Sequence, residues 1–157
     1  LSQIQGDLFE QRYPNNNSSV MKTYRYSVLI VDDNTFDLMI LNDIISSFKE
    51  FNICIDKATN GQKAIELFTL KNSPESEEIS YDIIFIDKEM PTMSGLETMK
   101  VIKTKIFKEG FRDTIIIGCN ADNKLLEEEG RNLKIDEWCC KPIAWDIILS
   151  FLKKYLH

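Results

Sequence analysis

The chain lacks several features that would point to whole classes of protein. It has no excess of basic residues, with 19 Lys and Arg against 25 Asp and Glu, so we expect no direct nucleic-acid partner. No apolar stretch approaches the roughly 20 residues of a membrane span, and the N-terminus does not resemble a secretory signal. We therefore expect a cytoplasmic protein that does not contact the membrane directly.

Metal sites built from cysteine and histidine are also disfavoured by what is missing. The only histidine is His157, the last residue, and the four cysteines show no C-x-x-C spacing. All four, Cys54, Cys119, Cys139 and Cys140, lie in apolar segments. We expect them to be reduced core residues, since free cysteine in a core behaves as a small apolar side chain.

The 157 residues suffice for one domain preceded by a tail, and a hydrophobic composition of 43% is enough for a core. Apolar residues recur at helical spacing near the N-terminus until turn-forming residues interrupt the pattern at 13–19. We predict that residues 1–24 hold the end of a helix and an Asn/Ser-rich linker, and that residues 25–157 form the domain. Because the first residue is Leu1 instead of Met, we expect the chain to be part of a longer polypeptide.

From about residue 24 onward, strand and helix signals alternate five times. Predicted strands cover 26–31, 52–58, 82–87, 113–119 and 136–140. Predicted helices cover 35–49, 60–71, 95–107, 122–132 and 143–156. Regular alternation favours right-handed crossovers between parallel strands. The sequence therefore predicts an α/β fold, a doubly wound five-stranded parallel sheet with helices on both faces.

Charged residues stand at the ends of the predicted strands. Asp32 and Asp33 close the first strand, Asp87 closes the third, and Lys141 follows the fifth. In open α/β sheets, ligands bind just outside the carboxyl ends of the strands, so these residues share one pocket if their strands are neighbours. Carboxylates that lie so close together repel one another unless a cation lies between them. A hard divalent metal is the cation that we expect.

Four segments together carry a resemblance to a known family. They are VLIVDDN at 28–34, ATNG at 58–61, DIIFIDKEMPTMSG at 82–95 and KP at 141–142. In this order and spacing they resemble the receiver domain of two-component response regulators, over essentially all of 25–157. The Asp-Asp-Asn opening and the Met-Pro-x-Met-x-Gly loop are most similar to receivers of hybrid histidine kinases. The resemblance implies a flavodoxin-like receiver fold.

The resemblance also implies a phosphoryl-transfer site. Asp87 would accept a phosphoryl group from a phosphohistidine donor, which gives an acyl phosphate. Mg²⁺ would be held by Asp32, Asp33, Asp87 and the backbone carbonyl of Glu89, in keeping with its preference for a few carboxylates and retained waters. Lys141 would pair with the phosphoryl group as a mobile point charge.

Three further positions take their meaning from the resemblance. Pro142 corresponds to a proline that usually follows a cis peptide bond. Trp138 stands where the family usually has a Tyr or Phe that turns inward on activation, although a plain core aromatic is the commoner role. Asn120 stands where a Ser or Thr hydroxyl usually bonds the phosphoryl group; placing Cys119 there is the second choice, because Ala121 favours the first alignment. We expect phosphoryl transfer to survive this change and conformational coupling to weaken.

The first predicted helix carries apolar residues on two sides. One stripe is enough to bury the helix against the sheet, and Phe36, Met39 and Ile40 fall on the opposite side. These three either pack against a neighbouring loop or the N-terminal tail, or form a docking surface for a partner beside the acidic pocket. The apolar residues of the last predicted helix serve either a homodimer contact or the core: Trp145, Ile148 and Leu152.

The leading hypothesis is a phosphoacceptor module of a phosphorelay. It would be the receiver of a hybrid kinase that exchanges phosphoryl groups with a histidine kinase or a histidine phosphotransfer protein, and it would not itself be an enzyme. The alternative is a degenerate receiver that binds partners without phosphorylation, motivated by Asn120. A haloacid-dehalogenase-type phosphatase would need a second aspartate two residues after Asp87, where the chain has Glu89. A flavin module would need a phosphate-binding loop after the first strand, where Asp32 and Asp33 repel phosphate.

Overall fold

The computed structural model describes residues 24–121 and 132–157. The strands are β1 (Tyr26–Val31), β2 (Ile53–Ala58), β3 (Ile83–Asp87), β4 (Ile115–Asn120) and β5 (Glu137–Cys140). The helices in the described ranges are α1 (Thr35–Ser47), α2 (Gly61–Lys71), α3 (Gly95–Glu109) and α4 (Trp145–Tyr155), and a 3-10 turn covers Lys49–Phe51. The predicted helix at 122–132 and the predicted N-terminal segment at 1–24 lie almost wholly outside the described residues.

All five strands pair in parallel, in the order β2-β1-β3-β4-β5. The strands are rich in β-branched apolar residues, and all five residues of β3 are buried, as expected when helices cover both faces of a parallel sheet. Helices α1 and α4 contribute to the core on one face, and α2 and α3 to the core on the other. The predicted doubly wound α/β fold is therefore confirmed.

The direction of winding reverses between β1 and β3. The chain passes from β1 to its neighbour β2 on one side, and then returns to place β3 on the other side of β1. In folds of this kind, the carboxyl ends of the two strands at the reversal border an open crevice. Because Val31 pairs with Ile86, β1 and β3 end at nearly the same height. This register brings the residues that follow β1 beside the last residue of β3.

The ends of several elements differ from the predicted ones for local reasons. Helix α1 ends at Ser47, two residues early, because Phe48 leaves the helical backbone with φ −86° and ψ 73°. Helix α4 begins at Trp145, since Ala144 before it is extended. Strand β4 continues one residue further than predicted, so that Asn120 pairs with Cys140 inside the sheet. Across 24–121 and 132–157, every helix is too short or too polar to cross a bilayer.

Candidate functional site

The turn after β1 fixes the first two acids. Asn34 caps α1 with a side chain that accepts hydrogen bonds from the backbone N–H groups of Phe36 and Asp37. The Asp32 carboxylate accepts a hydrogen bond from the N–H of Asn34 at 2.9 Å, which holds its side chain toward the crevice. Asp33, between them, is exposed to solvent. Residues 32–34 thus end β1, cap α1 and fix the position of the Asp32 carboxylate.

Three carboxylates meet at the crevice. One oxygen from each of Asp32, Asp33 and Asp87 can be chosen so that all three lie within 4.8 Å of one another. Asp32 and Asp87 are only 7% and 8% exposed. The pKa of Asp87 is raised from 3.8 to about 6, first by burial and then by the negative charge of Asp32, while Lys141 opposes the rise. The pocket therefore holds more negative charge than its own cation balances.

Lys141, just beyond β5, supplies an ammonium group to the pocket. Its backbone N–H donates to the carbonyl of Asn120 at 2.9 Å, and its peptide bond to Pro142 is cis, as the resemblance implied. The ammonium Nζ lies 2.5 Å from Asp32 Oδ2 and 3.2 Å from Asp87 Oδ1. Burial acts to lower the pKa of Lys141, but the hydrogen bond to Asp32 and the charge of Asp87 outweigh it and raise the pKa. Lys141 is therefore held as a cation.

The loop after β3 approaches the pocket closely and is shaped by one glycine. The N–H of Gly95 donates to the carbonyl of Lys88 at 2.8 Å, and a Cβ built on Gly95 would lie 1.9 Å from the backbone oxygen of Asp87. Only glycine fits at this contact. The following helix α3 starts with a capping box between Ser94 and Glu97. Glu89, whose backbone carbonyl was the predicted fourth metal ligand, lies in this loop with an exposed side chain.

The two predicted switch residues lie on the other side of Asp87. Asn120 is the last residue of β4 and is only 3% exposed. Trp138 pairs with Gly118 across β4 and β5, and a Cβ on Gly118 would lie 2.3 to 2.8 Å from atoms of the indole ring. The indole therefore covers the glycine, partly buried against the core between the sheet and helices α2 and α3. Asn120 lies two residues after Gly118 on strand β4.

The predicted docking residues are exposed. Phe36, Met39 and Ile40 are 62%, 50% and 41% exposed, so they do not pack against any described part of the chain as core residues do. Beside them a cavity of about 310 Å³ lies between α1 and the segment after β5. Its apolar lining includes Ile40 and Ile143, and its inner end reaches the Asp87 carboxylate. An apolar surface is thus continuous with the acidic pocket.

The apolar residues of α4 differ in how deeply they are buried. Ile148 and Leu152 are fully buried and belong to the core, whereas Trp145 is 53% exposed and its ring lies 4.8 Å from that of Phe48.

The four cysteines also differ in burial. Cys119 and Cys139 are buried, with sulfur atoms 3.5 Å apart, while the other two, at 54 and 140, are only half-buried instead of lying fully in the core.

Sequence reasoning missed one residue of the site, Asp37. Its carboxylate lies 3.3 Å from the Lys141 ammonium, on the outer side of the pocket. The available signal was the cap: with Asn34 as N-cap, Asp37 falls in the first turn of α1, next to the strand end that carries Asp32. An acid in the first turn usually interacts with the helix dipole, and that common role gave no reason to predict its contact with Lys141.

The sheet order and the acids at its reversal point define a class, the flavodoxin-like α/β domains with an acidic site at the switch point. Within that class, the chain belongs to the response regulator receiver domain family, whose model matches residues 28–153. It is 27% identical over 133 residues to hybrid signal transduction histidine kinase A of Dictyostelium discoideum, covering 84% of the chain and 6% of that kinase. Hybrid kinase M of the same organism is 28% identical over 132 residues, which cover 81% of the chain and 5% of the kinase. The chain thus spans about a twentieth of the length of these two kinases.

Solved structures give the same fold. The receiver domain of the response regulator Ssk1, crystallised with the histidine phosphotransfer protein Ypd1 from Saccharomyces cerevisiae, matches with TM-score 0.70 and 24% identity, over 84% of this chain and 89% of that one. The receiver domain of the histidine kinase CKI1 from Arabidopsis thaliana, complexed with Mg²⁺ and BeF₃⁻, matches with TM-score 0.67 and 23% identity, over 83% and 91%. At these identities the similarity establishes the fold.

Proposed function

We propose that Asp87 is the phosphoacceptor of a phosphorelay. A carboxylate oxygen of Asp87 attacks the phosphorus of a phosphohistidine, the nitrogen–phosphorus bond breaks, and an acyl phosphate forms while the donor histidine leaves. The observation that carries the proposal is the convergence of Asp32, Asp33, Asp87 and Lys141 on one crevice. A lone strand-end aspartate has no need of two further acids and a lysine.

Mg²⁺ fits the donor set of this pocket. The carboxylates of Asp32, Asp33 and Asp87 would hold it together with the backbone carbonyl of Glu89, as hard oxygen ligands. Burial is the main cause of the raised pKa of Asp87 and the negative charge of Asp32 is the second, and a dication would neutralise that charge. When bound, the metal lowers the repulsion between the nucleophile and the incoming phosphoryl oxygens. The structure of the Arabidopsis receiver complexed with Mg²⁺ and BeF₃⁻ supports this assignment.

Two residues of the chain would contact the phosphoryl group. The ammonium of Lys141 is already 3.2 Å from Asp87 and needs only a short movement to pair with a phosphoryl oxygen there. Asn120, buried at the end of the next strand, would donate a hydrogen bond from its side-chain amide in place of the usual hydroxyl. Because the amide is longer and planar, we propose that it couples phosphorylation less tightly to a movement of Trp138.

We further propose that residues 25–157 act as a receiver within a hybrid histidine kinase, with residues 1–24 as its linker. Dictyostelium hybrid kinases A and M each match over four fifths of the chain, which supports this context. A receiver of this kind is not an enzyme by itself, acts in the cytoplasm, including at the cytosolic end of a membrane-bound kinase, and exchanges phosphoryl groups with a histidine phosphotransfer protein. The complex of the yeast receiver with such a protein supports that partner class.

The exposed apolar side chains of α1 are the docking surface in this proposal. Ile40 lines the cavity that Asp87 also lines, and Phe36 and Met39 are exposed on the same helix, so a partner seated there would present its phosphohistidine to the nucleophile. The net charge of −6 supports the proposal that nucleic acid is not a direct partner. The exposed Trp145 on α4 is the candidate for a homodimer contact.

Labelling with a small phosphodonor tests the proposal. Incubated with acetyl phosphate and MgCl₂, the wild-type chain is expected to gain one acid-labile phosphate by mass spectrometry, and Asp87→Asn none. Asp146→Asn, which removes an exposed aspartate on α4, is the matched control and keeps wild-type labelling. Equal labelling of wild type and Asp87→Asn would reject Asp87 as the acceptor. Absence of labelling in every variant would favour the alternative, a degenerate receiver that binds partners without phosphorylation.

A further inference from the structure

The Lys141 ammonium contacts three carboxylates, and one of them is not among the proposed metal ligands. Asp32 Oδ2 lies at 2.5 Å, Asp87 Oδ1 at 3.2 Å and Asp37 Oδ2 at 3.3 Å. The Asp37 side chain is 39% exposed, against 10% and 11% for those of Asp32 and Asp87. Asp37 therefore stands at the mouth of the pocket, and the other two line its interior.

A dication and Lys141 compete for the same inner oxygens. Asp32 and Asp87 are members of the carboxylate cluster that would hold the metal, and both also face the ammonium. When a dication draws charge from these two carboxylates, the pairing that they offer to Lys141 weakens. Asp37 is the one contact of the ammonium that the dication leaves untouched, because its carboxylate is not part of the cluster.

We propose that Asp37 is a positioning residue that holds Lys141 at the mouth of the pocket, so that Mg²⁺ and the ammonium are accommodated together. The inference rests on the proposed Mg²⁺ site, which it deepens. Loss of Asp37 leaves the ammonium dependent on oxygens that the metal needs, and Mg²⁺ then binds less tightly. The anchor is specific to an acid at this position, since an amide offers no charge to the ammonium.

A second role of Asp37 has to be separated from this one. An acid in the first turn of α1 also interacts favourably with the helix N-terminus. That contribution affects the stability of the helix with or without Lys141. The positioning role, in contrast, acts through Lys141 and disappears when the ammonium is removed. A double-mutant cycle therefore distinguishes the two.

The experiment is isothermal titration of MgCl₂ into the whole chain. Because a partly exposed ion pair is weak, we expect Asp37→Asn to raise the Kd for Mg²⁺ about twofold to fivefold, which corresponds to about 0.4–1 kcal/mol. Asp43→Asn removes an equal charge from an exposed site two turns along α1, and it is expected to leave the Kd close to that of wild type. Asp37→Glu, which restores the charge, is expected to recover at least half of the lost affinity.

The same substitution in a Lys141→Ala background tests whether Asp37 acts through the ammonium. There, Asp37→Asn is expected to change the Kd by less than half the factor seen with Lys141 present. The same factor in both backgrounds would overturn the inference, because Asp37 would then act on the metal directly or through the helix. No change in the Kd for Asp37→Asn with Lys141 present would overturn it as well. Failure of wild type to bind Mg²⁺ would instead overturn the proposed metal site on which the inference rests.

Discussion

Asp87→Asn is expected to stabilise the metal-free protein at pH 7. The pKa of Asp87 is about 6 in the folded chain, against 3.8 for an ordinary aspartate, because the carboxylate is buried beside Asp32. One pKa unit corresponds to about 1.36 kcal/mol, so ionising this carboxylate costs the fold roughly 3 kcal/mol. The pocket is open to solvent on one side, which screens the charges, and we therefore expect a gain of about 1–2 kcal/mol in the free energy of unfolding.

The stability gained by Asp87→Asn should increase as the pH rises. A folded-state pKa above the unfolded one means that the folded wild type binds its proton more readily, so protonation of Asp87 stabilises it. That stabilisation is complete below about 3.8 and is lost as the pH rises through about 6. The advantage of Asp87→Asn is therefore full at pH 7 and above, and it shrinks as the pH falls from 6 toward 4.

Urea unfolding of wild type and variant in EDTA, at pH 7.5 and at about pH 4.5, measures this difference. Taking the difference between the two proteins cancels the titration of groups that they share, and Asp146→Asn controls for the loss of one surface charge. Addition of Mg²⁺ should then stabilise wild type more than Asp87→Asn. If Asp87→Asn is no more stable than wild type at pH 7.5 in EDTA, Lys141 already balances the carboxylate and the argument for a charge surplus fails.

Three further changes test the switch and the docking surface. Asn120→Thr should strengthen the shift in Trp138 fluorescence on phosphorylation, measured with the other tryptophan replaced by phenylalanine; an unchanged shift would mean that this side chain is not the coupling element. Phe36→Ala combined with Met39→Ala should slow transfer to a histidine phosphotransfer partner and leave acetyl phosphate labelling intact, and an equal fall in both rates would indicate folding damage. Gly118→Ala places a methyl group where the indole lies, so it should lower stability by about 1–3 kcal/mol and alter the Trp138 emission; wild-type values of both would contradict the packing.

The fold was predictable from the sequence because its strongest signals are local and repeated. Continuous β-branched runs such as VLIV and IIFI, each followed by a helical pattern, leave few alternatives to a parallel sheet. The exact ends of the helices and strands were harder to predict, since they depend on the backbone conformations of single residues. Nothing in the residues around Phe48 announces that its ψ is 73°, and the extension of β4 to Asn120 depends on pairing with Cys140, a contact distant in sequence.

The convergence of the site was predictable for a topological reason. Once β1 and β3 are neighbours, an acid at the end of each must lie at the same edge, and the structure brings Asp32, Asp33 and Asp87 together there. The contact between Asp37 and Lys141 was not predictable in the same way. It depends on the length and direction of two side chains from elements that are 104 residues apart, and no pattern in the chain encodes either.

The position of Lys141 connects the stability of the pocket to its chemistry. The Lys141 ammonium contacts both inner carboxylates, and it lies closer to Asp32 than to the nucleophile. In the proposed reaction, Lys141 would have to shift a short distance from Asp32 to pair with a phosphoryl oxygen on Asp87. In the proposed site, a dication bound by Asp32 would weaken the pairing between Asp32 and Lys141, while Asp37 would keep the ammonium at the pocket. In that proposal, metal binding and the position of Lys141 are coupled, and the Asp37 contact affects both.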